Sequence, residues 1–452
     1  MPNSRKSFYR TVLKTVQREL RWLSPGVGLK RWLLLIMLGN TFIGVGIAML
    51  LLDFYRNAPD TWWLPAVSFL ALRFLTRPLR VLIFGGIGLG LLLFGLWGFN
   101  KTLLSPFLQP GKRVLDSLSE FRKRERGPRI VAIGGGTGLY SLLRGIKTFT
   151  HNITAIVTVA DDGGSSGELR RTLGVLPPGD IRNCLAALAN DETLMTHLFQ
   201  YRFSGSNGLT GHSMGNLFIT AMTEITGSFE QAIAESGKVL AVRGRVYPST
   251  LHDVRLAADI QLPDRGREVH ILGESRIPEV NGKIRRVWLE PDNPKAYPPA
   301  IQAILNADLI LIGPGSLFTS ILPNLLVSDI AEAIRVSRGL KFFICNVATQ
   351  RGETDSFTCE DHVKTIEQYI GEGIFDVILC NHNTRQVLPD GVQWVLAGDE
   401  FRQIYPVYCA DLVDAQNPTR HDPHKLAMTI MEIFEERTGP LNIRENLNNV
   451  ES

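Results

Sequence analysis

The sequence predicts an α/β fold, a Rossmann-like, doubly wound, mostly parallel sheet preceded by two transmembrane helices. Three observations predict it. From residue 129 onward, short apolar runs alternate with helical stretches. Glycine-rich or polar clusters close those runs. Two uncharged runs of membrane-spanning length come before residue 100. Near-continuous apolar strands separated by helices build parallel sheets that are covered on both faces.

The two halves of the chain differ in charge. Residues 1–129 carry 20 Lys/Arg against 6 Asp/Glu, a net of +14; the rest carries 28 against 38, a net of −10. Such different halves do not share one core. Residues 33–52 and 81–99 contain no charged residue, and a helix needs roughly 20 apolar residues to cross the hydrocarbon core. Lys and Arg crowd the segments before the first run and after the second, whereas the loop between holds only Arg56, Arg73, Arg77 and Arg80. Both termini and the large domain are therefore expected in the cytoplasm, at the inner membrane. The anchor and its charged linker span 1–128, the α/β domain 129–440, and a polar tail 441–452. The acidic α/β half argues against nucleic acid as a partner.

Within that domain, Arg129–Ile133 reads as a strand, Gly134-Gly135-Gly136-Thr137-Gly138 as a turn, and Leu139–Phe149 as a helix. A second strand, Ile153–Val159, ends in Asp161-Asp162-Gly163-Gly164-Ser165-Ser166. Later strands read as Asp308–Ile312, Lys341–Cys345 and Asp376–Cys380, with helices over Ser328–Arg338 and Glu360–Ile370. The stretch Val246–Leu289 reads as an antiparallel excursion. In open parallel sheets, ligands bind at the carboxyl ends of the strands. The first glycine loop presents N–H groups at a helix start, a favourable place for an anion. Gly313-Pro314-Gly315-Ser316 repeats the strand, glycine turn and helix order. Two such starts suit a diphosphate or two phosphates.

No P-loop lysine follows the first loop, and Leu139 stands where a dinucleotide fingerprint needs its last glycine. Asp161 nevertheless lies where a ribose-binding acid would, which keeps a nicotinamide cofactor in view. No nucleophile-elbow serine appears. Asp161 or Asp162 could hold Mg²⁺ beside phosphate. Asp180 reads as a helix N-cap, with Arg182 and Asn183 on the first turn facing ligand. His212 and Asn216 begin another polar helix start. The five cysteines are scattered without a C-x-x-C, which suggests neither a disulfide framework nor a zinc site.

The motifs IVAIGGGTGL, TVADDGGSSGELR, PPGDIRNCL, GHSMGNL, LIGPGSLFTSILPNLL and NVATQRGET resemble, in order and spacing, the YvcK branch of the YvcK/CofD-like family. The resemblance covers about 129–440. It implies a Rossmann-like domain that binds a UDP-sugar of the UDP-N-acetylglucosamine type and regulates cell shape, peptidoglycan supply and gluconeogenic growth. Its CofD branch implies instead an Mg²⁺-dependent transferase of a 2-phospholactyl group from a nucleotide-activated donor, with Asp161 and Asp162 at the metal. Arg420 matches a ligand-contacting arginine of the YvcK branch. Expected partners are a nucleotide sugar, the membrane, cell-wall synthesis proteins and a second copy of the chain. The first 128 residues depart from the soluble family pattern.

Overall fold

The structure is a computed structural model that describes residues 124–189, 194–205, 208–263 and 267–439, with isolated positions between 40 and 94. It divides into two compact units, Met1–Glu120 and Phe121–Ser452. The expected spans at 33–52 and 81–99 lie almost wholly outside the described residues. Among the described residues, no single helix is long and apolar enough to cross a membrane.

The larger unit is built on a seven-stranded sheet. Its strands are β1 (Ile130–Gly134), β2 (Ile153–Val157), β3 (Arg245–Pro248), β7 (Leu309–Ile312), β8 (Leu340–Ile344), β9 (Val377–Asn381) and β10 (Val407–Ala410). The spatial order is β10-β9-β8-β7-β1-β2-β3, and every pairing is parallel. Strand β1 is buried along its whole length, as are β7 and β9. That burial is what their unbroken apolar runs encode, because helices cover both faces of such a sheet. Each fully buried Ile or Leu contributes about 1.5–3 kcal/mol.

Helix α1 (Gly136–Ile146) follows β1 directly and turns Leu139, Leu142, Leu143 and Ile146 inward at helical spacing. It packs on α3 (Gly179–Leu188) and on the last helix, α12 (Pro423–Thr438). Helix α2 (Gly164–Leu173) lies between β2 and α3, followed by α4 (Leu194–Gln200), α5 (Met214–Thr226) and α6 (Phe229–Val239). Helices α7 (Pro298–Leu305), α8 (Leu322–Leu325), α9 (Ser328–Val336), α10 (Cys359–Ile370) and α11 (Asp399–Ile404) follow along the chain. Helix α10 begins with a reciprocal Thr358/Asp361 capping box.

The antiparallel excursion exists, but it starts later than the sequence suggests. β4 (Arg255–Gln261), β5 (Glu268–Leu272) and β6 (Lys283–Glu290) form a separate three-stranded sheet in the order β5-β4-β6. Val246 belongs instead to β3, which pairs in parallel with β2. A strand at the sheet edge is buried on fewer sides, so β3 tolerates the polar residues that made it read as antiparallel.

The chain runs outward from β1 through β2 to β3, then returns to the opposite flank of β1 and runs outward again from β7 to β10. The switch point therefore lies between β1 and β7, where a crevice opens outside the carboxyl ends of the strands.

Candidate functional site

Two glycine loops meet at that switch point. Gly136 opens α1 at φ +62°, in the left-handed region. Gly138 is required by close packing instead. A Cβ there would stand 2.5 Å from the Pro314 carbonyl oxygen and 2.9 Å from the Gly315 Cα. Asn346 holds the second loop in place: its Nδ2 donates to the Gly315 carbonyl at 2.8 Å, and its Oδ1 accepts the Gly315 N–H at 3.2 Å. Gln350 Nε2 donates to Ser316 Oγ at 2.9 Å.

A cavity of about 340 Å³ opens between the loops. Gly135, Gly136, Thr137 and Gly138 line one side, and Gly315, Ser316, Asn346 and Gln350 the other. Thr419, Arg420 and His421 close the rim. Arg420 is exposed, so its permanent positive charge is available to an incoming anion. His421 Nε2 lies 3.1 Å from the Cys345 carbonyl oxygen. A carbonyl only accepts, so Nε2 carries the proton. Burial lowers the His421 pKa to about 4, which keeps the ring neutral. Other cavities of 420 and 450 Å³ lie at the amino ends of β1–β3 and beside α6. They are away from the carboxyl edge, where loop amides and switch-point geometry converge.

A second cluster, this one acidic, lies at the end of β2. Asp161 accepts from the Gly163 N–H at 2.9 Å and also bonds Ser166. Asp162 accepts from the Ser275 N–H at 2.9 Å. Asp180 accepts from the Gly136 N–H at 2.9 Å, which joins this cluster to the glycine loop. Burial, then the Asp161 charge, raises the Asp180 pKa to about 6. Burial also raises Asp161. Glu274 is raised well above the usual range by burial and by Asp161 and Asp180. Its Oε2 is buried with no hydrogen-bond partner. Next to these carboxylates, Ser165 Oγ lies 3.0 Å from His212 Nδ1 and accepts from Asn216 Nδ2 at 3.0 Å. His212 Nε2 is 3.3 Å from Glu168. Arg182 donates to Ser213 Oγ, and to Asn183 Oδ1 at 2.8 Å. Burial lowers the Arg182 pKa to about 10.

The residues singled out from the sequence thus fall into two groups. Gly135, Gly136, Thr137, Gly138, Gly315, Ser316 and Arg420 line the cavity, with Gly134 and Gly313 in the backbone beneath them. Asp161, Asp162, Ser165, Ser166, Arg182, Asn183, His212 and Asn216 build the neighbouring polar cluster.

Three expectations are corrected. Asp180 is not an N-cap: Pro178 occupies that position, and the Asp180 carboxylate reaches across to Gly136. The second glycine loop does not open a regular α-helix. A π-helical turn, Leu317–Ile321, follows it, because the Ser316 carbonyl accepts from both Ser320 and Ile321 N–H. The cysteines are not all separate. Cys345, Cys359 and Cys380 come together, with the Cys359 and Cys380 sulphur atoms in contact. Their separation along the chain hid this, since β8, α10 and β9 meet only in the folded sheet. Asn346 and Gln350 were visible only as part of the NVATQRGET motif, with no role attached. Glu274 had no sequence signal.

Fold and site define a doubly wound α/β protein whose cleft lies at its topological switch point. Residues 130–399 match the family of 2-phospho-L-lactate transferase CofD; the chain belongs to this CofD/YvcK family. A relative from Nostoc sp. is 46% identical over 441 residues, covering 93% of each chain. The gluconeogenesis factor of Bacillus subtilis is 47% identical over 321 residues, 68% of this chain and 99% of its own. A crystal structure of a UPF0052-family protein from Bacillus halodurans superposes with a TM-score of 0.62 at 44% identity, covering 68% of this chain and 99% of that one.

Proposed function

We propose that the protein is a membrane-tethered regulator that binds a UDP-sugar of the UDP-N-acetylglucosamine type in the cytoplasm and relays its level to cell-shape control, cell-wall precursor supply and gluconeogenic growth. One observation carries the ligand class: two glycine loops from β1 and β7 converge on one cavity with Arg420 at its rim. Loop N–H groups and an arginine are the groups that recognise a diphosphate. The gluconeogenesis-factor relatives support the regulatory role. The two uncharged N-terminal runs and the flanking Lys and Arg support the tether.

The acidic cluster favours a second reading, an Mg²⁺-dependent transferase acting on a nucleotide-activated phosphoester. Asp161 and Asp180 suit a hard cation, since both are carboxylates, and the Asp161 charge raises the affinity of Asp180 for positive charge. Mg²⁺ bound there would neutralise charge on a diphosphate leaving group. The chain's own contribution would be to place the diphosphate against Gly136 and Gly315 and to keep Arg420 over it.

Calorimetric titration of the intact chain in detergent, and of residues 121–452, decides between them. UDP-N-acetylglucosamine, UDP-glucose and GDP are each added with and without Mg²⁺. Metal-independent binding of an intact UDP-sugar is expected. Binding of GDP alone, and only with Mg²⁺, would overturn the regulator reading in favour of the transferase.

A further inference from the structure

Cys345, Cys359 and Cys380 lie apart in the sequence, yet their sulphur atoms are all within 4.8 Å of one another and closed to solvent. The Cys359 and Cys380 sulphurs are the nearest pair, in contact with each other, with Cα atoms 7.1 Å apart. None of the three lines the cavity. Their positions nonetheless bear on it. Cys345 follows β8 at once, and Cys359 opens α10. The segment between them, 346–358, supplies one wall of the cleft through Asn346–Gln350. It holds Gly315 and Ser316 through Asn346 and Gln350, and Thr319 Oγ1 donates to Glu353 at 3.0 Å. Both ends of this wall therefore rest on one thiol cluster. The Cys345 carbonyl also receives His421, next to Arg420 on the opposite rim.

We propose that this cluster is a redox clasp, in which a Cys359–Cys380 dithiol/disulfide couple, with Cys345 as a neighbouring exchange thiol, fastens or frees the cleft wall 346–358. The oxidant is a low-molecular-weight disulfide. The Cys359 thiolate attacks one of its sulphurs and releases one small thiol. The Cys380 thiolate then displaces the second small thiol from Cys359, forming the Cys359–Cys380 bond. Each protein thiol gives up its proton, and the pair loses two electrons, which the two released thiols carry away. A small dithiol reverses both steps. Cys359 is the suited first nucleophile, because it occupies the first turn of a helix, where a thiolate is favoured. Access comes through the same wall. Arg351, Asp355, Ser356 and Thr358 are exposed, so this stretch, which leads directly into Cys359, is the solvent-facing approach to it. The clasp does not depend on which ligand the cleft holds.

The test uses the intact chain in detergent, incubated with oxidised or with reduced glutathione. Each sample is divided for denaturing alkylation with peptide mapping and for limited trypsin digestion at Arg351. Oxidation is expected to leave Cys359 and Cys380 in one cross-linked, unalkylated peptide pair while Cys184 and Cys409 alkylate. It is also expected to cause loss of the Arg351 cut. Cys380→Ser should restore that cut under oxidising conditions. The wild-type comparison stands even if the variant does not fold. Full alkylation of Cys359 and Cys380 after oxidation would overturn the proposal, as would equal Arg351 cleavage in both states. So would a stoichiometric metal ion held by the three thiols that prevents the disulfide from forming.

Discussion

At the ends of β1 and β7 the site is made of backbone, whereas at the end of β2 it is made of carboxylates. The first region has tightly apposed glycine loops and an exposed arginine. The second has Asp161, Asp162, Asp180 and Glu274 under mutual repulsion. One hydrogen bond, from Gly136 N–H to Asp180, connects them. The contrast shows how one sheet edge can receive both parts of a phosphate ligand's charge balance: donors for the anion, and acids for any accompanying cation. It also shows that Asp180 occupies an amide that the anion would otherwise use. Ligand and Asp180 are thus competitors for Gly136, unless a cation or a proton neutralises the acid.

The comparison is broken most severely at Gly138. Gly138→Val would push the Pro314–Gly315 backbone away and open the seam between the loops. Ligand binding should be lost, and stability should fall by about 1–3 kcal/mol from overpacking. Titration calorimetry and urea denaturation check the two effects separately.

Asp180→Asn probes the link between the regions. Asp180 has a folded pKa of about 6, above the ordinary value of 3.8. The folded state therefore holds this proton more tightly than the unfolded state, and stability is lost as pH rises from the ordinary value through about 6. The Asn variant avoids that loss while keeping an acceptor for Gly136. It should match the wild type at the acid end of that window and melt higher than it at pH 8, as scanning calorimetry across pH would show. The same variant should lose most Mg²⁺ affinity if the acidic cluster is a cation site. In the wild type, that affinity should fall as pH drops below about 6.

A smaller effect is expected at the rim. Arg420→Ala removes one charge-assisted contact, a loss of about 1.5–3 kcal/mol in binding, or roughly tenfold to a hundredfold in Kd. Because Arg420 is exposed, the melting temperature should stay where it is. Loss of binding together with a lower melting temperature would mean that Arg420 holds the rim rather than the ligand. His212→Gln should change least. His212 bonds Ser165 and Glu168 and does not line the cavity. Ligand affinity should shift by no more than roughly 0.5 kcal/mol, while a larger shift would extend the binding site into the polar cluster.

The core strands and the first glycine loop were legible because their information is local. A buried parallel strand needs an unbroken apolar run, and a tight strand-to-helix turn needs glycine. Ile130–Gly134 and Gly136–Ile146 meet both requirements within seventeen residues of chain. The family motifs carried Arg420 to the rim by position alone. Sequence pattern misread Asp180, since its partner lies 44 residues away. Pattern also misjudged the helix after Gly315, where two N–H groups compete for one Ser316 carbonyl.

Local chemistry in the sequence thus determined the doubly wound architecture, the carboxyl-edge cleft and the charge contrast between the N-terminal segment and the α/β domain. Apolar periodicity, glycine and charge act over a few residues, so they can be read in order along the chain. Only the tertiary structure decided that Asp180 reaches Gly136, that Asn346 and Gln350 hold the second loop, and that Cys345, Cys359 and Cys380 meet. Those contacts depend on which strands lie side by side, and the crossover from β3 back to β7 sets that order.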